Sequence, residues 1–316
     1  MVDPILLSRT IIYSSLLTLL SMGLTLTYLT TKVPNFAHAS FSTIGVYVIR
    51  TFTAEVFFGG NVYNYLFIAA LFSGAVALIQ YLLILRPLIR RGASLIALMI
   101  TTLAVDFILL ALTNIYADYL SQTYQIRSRY FLLTSSDITI AGQNGILIVA
   151  PALIIVTVSV LYLALTRTTF GIAMRAAIED SSLASVVGIN VNLVYSVSWF
   201  IAGALAGLSG GLLPLYIPGN PDVGTQLIVS MFAASTVGGL FNIYGAVIGG
   251  VLIGFAELLG TTYLSSIMGS WVIAYRRILP LIAIAITLLI SPRGILGADW
   301  KKALKSLRSK VYNAKN

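Results

Sequence analysis

Four ionisable residues fall inside long apolar runs of the 316-residue sequence: Arg50, Glu55, Asp106 and Glu257. A charge at mid-depth in a bilayer costs roughly 2.5–3.5 kcal/mol on insertion scales. Such residues face a bundle interior, pair with one another, or reach an interface. Arg50 and Glu55 are five positions apart on one segment and can pair only loosely. Arg50 with Asp106 is the better expectation for a buried pair. Together with Glu257 these residues are candidates for lining a translocation path, with a purely structural pairing as the alternative. His38 is the sole histidine, and there is no cysteine. Thiolate chemistry, disulfides and a His/Cys metal cluster are thereby excluded, and no metal site is expected. A proton relay through His38 is conceivable, but its place at the start of an apolar run favours a structural contact. The sequence contains no G-x-x-x-x-G-K-[ST] phosphate loop, so it cannot hydrolyse ATP by that route. No cofactor is expected on this chain, and nothing supports a membrane enzyme.

Glycines form a second pattern. Gly203, Gly207 and Gly211 are spaced four apart, as are Gly245 with Gly249 and Gly250 with Gly254. Small residues at this spacing let membrane helices approach closely. Internal packing is the simpler role. A subunit interface, or a helix that slides, is the other.

These residues require helices in a bilayer to position them. Hydrophobic residues make up 58% of the chain and charged residues 9%, against about 25% charged in soluble domains. Mean hydropathy is +0.96. A soluble fold is excluded, and the apolar runs are too long for barrel strands. The expected fold is an all-α integral membrane protein of about eight or nine spans: 5–29, 40–58, 65–85, 94–116, 145–166, 192–213, 225–240, 245–262 and 271–290. The pair 225–240 and 245–262 is short and interrupted by glycine, which suits tilted or partly re-entrant helices. Residues 1–298 form one transmembrane domain, and 299–316 form a basic tail. The N-terminus lacks an early basic cluster. Ala37-His38-Ala39 has the shape of a signal cleavage site, but a retained first helix is expected.

Basic residues give the sidedness. Arg86, Arg90 and Arg91 share a short loop, and Arg167 and Arg175 share another. Arg293 and the tail residues Lys301, Lys302, Lys305, Arg308, Lys310 and Lys315 follow the last span. With nine segments these loops, Lys32 and the C-terminus all fall on the cytoplasmic side of the cell membrane. The tail reads as an anchor to that surface rather than a nucleic-acid arm. The opposite loop, 117–144, carries Tyr116, Tyr119, Tyr124 and Tyr130. They read as a headgroup belt, with a docking surface as the alternative.

The segment 167–191 is too polar to span and too long for a tight turn. Good helix formers and small residues predict a surface helix over Ala173–Val187, ended by Gly188 as its C′ residue. Its low basic content does not suit a membrane-surface helix; small exposed residues suit docking into a partner's groove.

Here the chain resembles the branched-chain amino-acid permease family of ABC transporters. The segment matches at Arg167, Thr168, Gly171, Arg175 and Ala176, then at Ala184, Gly188, Ile189 and Asn190. Asn35-Phe-Ala-His38, Arg86-Pro-Leu88, Ala202–Gly211, Val237–Gly250 and Ser291–Gly297 match in order along the chain. Ala39 replaces a glycine, Arg277 stands where an acid is common, and Asp106 lies where the family is usually neutral. The resemblance implies a permease subunit of an ATP-driven importer for branched-chain or other amino acids. It implies that 167–191 is the coupling loop to the ATPase, through Arg167, Gly171, Arg175, Ala176, Ala184 and Gly188. It implies two separate ATPase chains that use the ATP, a second permease subunit, usually homologous rather than identical, and an extracellular solute-binding protein. Related permeases carry amides, urea, nucleosides or sugars. The competing reading is a secondary transporter driven by an ion gradient, for which Asp106 and Glu257 would be the working carboxylates.

Overall fold

The structure is a computed structural model that describes residues 3–140, 142–291 and 294–297. Arg293 and the basic tail at 299–316 lie outside the described residues. Among the described residues the regular structure is helical, apart from one short hairpin of two two-residue strands, β1 (Thr139–Ile140) with β2 (Gln143–Asn144).

The chain runs α1 (Pro4–Thr31), α2 (His38–Thr53), α3 (Leu66–Gln80), α4 (Arg86–Arg90), α5 (Leu95–Tyr124), α6 (Gly145–Arg167), α7 (Thr169–Glu179), α8 (Ser181–Val186), α9 (Val191–Leu212), α10 (Val223–Gly238), α11 (Ile243–Phe255), α12 (Thr261–Met268) and α13 (Ile278–Ile290). A π turn at Tyr81–Leu85 joins α3 to α4, and another at Ala256–Gly260 joins α11 to α12. Among the described residues, six helical stretches are long and apolar enough to cross a membrane: Pro4–Thr31, Val62–Arg90, Leu95–Tyr124, Gly145–Arg167, Val191–Leu215 and Ile243–Met268. α2, α10 and α13 have 16, 16 and 13 residues. At ~1.5 Å per residue each falls short of the ~30 Å hydrocarbon layer.

Several expected boundaries move: the second span ends at Thr53 rather than 58, and the third runs on through a π turn to Arg90 rather than 85. The fourth span was expected to stop at 116, but α5 continues to Tyr124, because no Gly or Pro intervenes and Gln125 supplies the left-handed cap at φ 56°. The eighth runs on to Met268, carried through the π turn. The ninth begins at Ile278 rather than 271, since Ser270–Tyr275 forms a 3-10 turn ahead of Arg276 and Arg277.

α1 is the centre of the bundle. Asp3 caps it by accepting from the Ile5 N–H at 3.0 Å, and Pro4 opens its first turn. From Thr10 to Thr27 nearly every side chain is buried, including Thr10, Ser14, Ser15, Thr18, Ser21 and Thr25. Several of these hydroxyls bond to carbonyls one turn back, such as Thr18 to Ser14 at 2.7 Å, which suits a polar group in an apolar medium. Others tie helices together. Ser209 donates to the Leu16 carbonyl at 2.8 Å, Ser235 to that of Ser21 at 3.0 Å, and Ser21 to that of Ala246 at 3.0 Å.

The spaced glycines all face helices of this same chain. A Cβ on Gly207 would lie 2.5 Å from the Ala69 carbonyl oxygen and 2.7 Å from Ser73 Cβ, so α9 seats on α3. Gly203 meets the Ser73 carbonyl of α3 in the same way, and Gly211 meets Leu66 and Ile49. Gly245 and Gly249 close α11 onto α10, while Gly250 and Gly254 close it onto Thr18 and Ser14 of α1. Their place is in the internal packing, not on an outer face.

Gly207→Val should lower the thermal midpoint of the purified protein in detergent, since overpacking costs about 1–3 kcal/mol and the obstacle is backbone. Gly260→Ala, which would meet only Leu279 at 3.5 Å, should leave the midpoint unchanged.

Candidate functional site

Two ends of the bundle carry the charged residues. One end holds Lys32, Arg86, Arg90, Arg91, Arg167 and Arg175, with Lys32 packed 5.5 Å over the Phe241 ring. Burial there lowers the Lys32 pKa from the ordinary ammonium range. Residues 294–297 return to this end, where Ile295 N–H donates to Val237 O at 2.8 Å. The other end holds Arg9, Arg50, Arg127, Arg129, Arg276 and Arg277.

The latter end contains the most connected polar cluster. Glu257 sits in the π turn between α11 and α12, its side chain only 4% exposed. Arg276, just before α13, donates from Nε to Glu257 Oε1 at 2.8 Å. The Tyr13 hydroxyl of α1 donates to Oε2 at 2.8 Å. The Arg276 guanidinium also lies 4.5 Å above the Tyr13 ring. Both carboxylate oxygens are therefore occupied. A polar cleft of about 590 Å³ opens beside this triad, lined also by Tyr130, Asn220, Gln226 and Arg277. Neither Tyr13 nor Arg276 was an expected partner of Glu257. Tyr13 looks like one more residue of an apolar run, and only its depth on α1 reveals the match.

The expected pair of Arg50 with Asp106 is not formed. Asp106 of α5 is buried and accepts from Ser40 Oγ of α2 at 2.6 Å. Arg50 is ten residues further along α2, about 15 Å at the helical rise. It donates from Nε to the Arg127 carbonyl at 2.8 Å and packs 5.0 Å over the Phe131 ring. The helix register separates the two charges.

The 117–144 region is tied down at several points. Phe131 and Gly219 exchange backbone hydrogen bonds at 3.2 and 2.8 Å, and Tyr47 donates to the Ser128 carbonyl at 2.5 Å. Arg129 forms a bidentate pair with Asp118 at 2.7 and 2.8 Å, which raises its pKa. Being exposed, that pair adds little stability. Tyr116, Tyr119 and Tyr130 stay exposed.

At the Lys32 end, the expected helix over Ala173–Val187 is two helices. α7 stops at Glu179 and α8 starts at Ser181, because Asp180 takes an extended conformation and accepts from the N–H groups of Ser182 and Leu183, both at 2.9 Å. An aspartate followed by serines is a strong N-cap signal, and it splits the segment. Gly188 follows α8 at φ +87°. Its N–H bonds to Ser185 O at 3.1 Å and that of Ile189 to Ala184 O at 3.0 Å, the Schellman pattern of a C′ glycine.

The six segment residues play different parts. Arg167 ends α6. Thr168 caps α7, accepting from Gly171 N–H at 3.2 Å, and Gly171 lies so close to the Leu165 carbonyl that a Cβ could not fit. Arg175 turns back and donates to the Leu165 carbonyl, one of the unpaired acceptors at the end of α6. Ala184 is buried beside Met174 and Ala177, and Ala176 is half-buried against the same cluster. The outward-facing residues are Ile172, Leu183, Val186 and Val187, with Val186 82% exposed. This apolar face is not legible from the matched positions, none of which falls on Ile172, Leu183, Val186 or Val187.

His38 is buried under α1. Its Nε2 lies 3.0 Å from the Leu20 carbonyl; a carbonyl only accepts, so Nε2 carries the proton. The imidazole packs against Gly23 of α1 and edge-on to Phe41. The contact is structural.

Among the described residues no group of three or more His, Cys, Asp or Glu could hold a metal ion. The helices and their buried polar contacts define a multi-pass α-helical membrane protein. Residues 6–288 match the family model described as branched-chain amino acid transport system / permease component, and the chain belongs to that family. It is 46% identical over 307 residues to a protein of Methanocaldococcus jannaschii named a probable branched-chain amino acid transport permease, LivH, covering 97% of this chain and 96% of that one. It is 30% identical over 294 residues to the high-affinity branched-chain amino acid transport system permease LivH of Escherichia coli, covering 88% and 90%. It is 31% identical over 163 residues to BraD of Pseudomonas aeruginosa, covering about half of each chain, 50% and 51%. No solved structure matches.

Glu257→Ala would leave Arg276 without its carboxylate and Tyr13 without its acceptor. Losing one partner of a buried pair costs about 3–5 kcal/mol, so chemical unfolding in detergent should show a loss near the lower figure, Arg276 being partly exposed. Glu257→Gln combined with Arg276→Gln should cost less than Glu257→Ala alone. Asp106→Asn keeps an acceptor for Ser40 and should retain both folding and transport, whereas Asp106→Leu should lower the unfolding midpoint.

Proposed function

We propose that this chain is a membrane-spanning subunit of an ATP-driven importer of branched-chain or other amino acids. The observation that carries this is the α7–α8 pair, packed against α6 and α9 yet presenting Ile172, Leu183, Val186 and Val187 outward. A protein working alone on an ion gradient has no need of such a face. An apolar helical surface set between charged residues fits a groove on a partner, here one of two separate ATPase chains that bind and use the ATP.

Arg167, Gly171, Arg175, Ala176, Ala184 and Gly188 serve the coupling by fixing the shape of the pair. Arg175 locks α7 to the end of α6, and Gly188 ends α8 so that α9 can re-enter the bundle. A push on α8 is thus passed to α6 and α9. A second, homologous permease chain and an extracellular solute-binding protein complete the importer. ATP and solute act by binding inward- and outward-open states with different affinity.

The Lys32 end is the cytoplasmic side, and the C-terminus with it. Described lysines and arginines are equally divided between the two ends, but residues 294–297 lie at the Lys32 end and the sequence that follows them is basic. That asymmetry sets the orientation. The tail 299–316 binds the lipid surface, and no nucleic acid is involved.

A tagged chain drawn from its native membrane in mild detergent should bring down two phosphate-loop ATPases and a second hydrophobic permease, identified by mass spectrometry. Val186→Asp, on an exposed position, should leave the chain in the membrane and cut ATPase recovery at least about tenfold, as expected for one desolvated charge at an interface. Recovery of the chain alone, with solute uptake into liposomes free of ATPase, would instead identify a secondary carrier.

A further inference from the structure

We infer that the polar cleft beside Glu257 is a transient binding site for the transported amino acid, with Arg277 holding its carboxylate. This rests on the transport reading above and adds where the solute is met within the chain. The cleft, of about 590 Å³, holds more than one molecule of leucine's size and is bounded by both polar and aliphatic groups.

The charges in the cleft do not balance. Its lining includes Arg276 and Arg277 but only one carboxylate, Glu257. Glu257 already pairs its single charge with Arg276 at 2.8 Å and accepts from Tyr13 at 2.8 Å, and no described carboxylate forms an ion pair with Arg277. The single hydrogen bond of Arg277 among the described residues is a long one, 3.4 Å from Nη2 to Gln226 Oε1. A guanidinium presents a planar fork matched to a carboxylate. One carboxylate from outside would complete the balance.

The remaining walls suit an amino acid rather than a bare anion. The amide oxygens of Asn220 and Gln226 can accept from an ammonium group; that of Asn220 already accepts the Asp222 N–H at 2.9 Å and keeps a second lone pair. Ile217, Leu227 and Ile273 supply an aliphatic wall. An apolar wall with a few convergent polar groups is the usual make-up of a small-molecule site.

The test is equilibrium binding of radiolabelled L-leucine to the assembled importer in nanodiscs without the solute-binding protein. L-leucinamide, which lacks the carboxylate, and glycine, which lacks the aliphatic body, serve as competitors. Leucine should bind, and leucinamide should compete at least about tenfold less well, the loss expected for one charged hydrogen-bonding partner. Arg277→Gln should reduce leucine binding by a similar factor and remove the preference over leucinamide, and Arg277→Lys should fall between. Thermal unfolding identifies any variant that fails to fold, and the leucinamide comparison on the unaltered complex is independent of it. Absence of leucine binding, equal competition by leucinamide, or equal displacement by inorganic phosphate would overturn the proposal. So would an Arg277→Gln complex that binds leucine normally but has lost affinity for the solute-binding protein, which would make the arginine a docking contact. A failure of the transport reading is separate: it would show as no ATPase in the complex and no amino-acid uptake.

Discussion

Helices in lipid gain little by hiding apolar surface from one another, because the solvent is as apolar as they are. Their attraction must come from close contact, and close contact requires that nothing stand between the backbones. This constraint governs the whole molecule. α1 offers hydroxyls and short side chains along its length, and α11 meets it with Gly250 and Gly254. α9 meets α3 with Gly203 and Gly207, and Gly45 of α2 comes against the backbone of Gly207. Hydroxyls of Ser21, Ser209 and Ser235 then bond across the narrow seams. Leucine in these positions would hold the helices apart and leave the hydroxyls without carbonyls to reach.

The polar cluster depends on those seams. Glu257 meets Tyr13 only because α11 lies against α1 over the preceding two turns. The π turn at 256–260 adds one residue to the local helical winding, and such turns recur at functional positions. Arg276 then reaches Glu257 from the end of the 3-10 turn before α13. The segment 167–191 is built on the opposite logic. There, close packing is confined to the concealed face, through Gly171, Ala177 and Ala184, and bulk is turned outward.

The sequence is legible where one residue suffices to define a local event. The apolar runs, the spaced glycines and Gly188 as a helix end are of that kind, and each has a counterpart in the fold. It is less legible where partners are remote. Arg50 and Asp106 have complementary charges and lie on neighbouring helices, yet the register of α2 sets them at different depths, and charge alone carries no depth. Tyr13 carries no mark that distinguishes it from the tyrosines at helix ends. The split at Asp180 was available in principle, since Asp-Ser-Ser is a helix start, but the run of good helix formers on both sides masks it. The matched positions of the segment point to residues that shape it, so the outward apolar face emerges only from burial.

The central place of α1 has a consequence for how the protein is made. Residues at opposite ends of the chain meet there: Tyr13 and Glu257 are 244 positions apart, and Ser21 and Ser235 are 214 apart. A ribosome delivers α1 first and its wrapping helices α9, α10 and α11 last. At ~5–20 residues per second, α1 waits for ten seconds or more with its hydroxyl-rich surface facing lipid or the insertion machinery. Assembly of the core therefore lags the insertion of its first helix, and a chain cut short before α11 leaves the hydroxyl-rich α1 without the helix that meets it through Gly250 and Gly254.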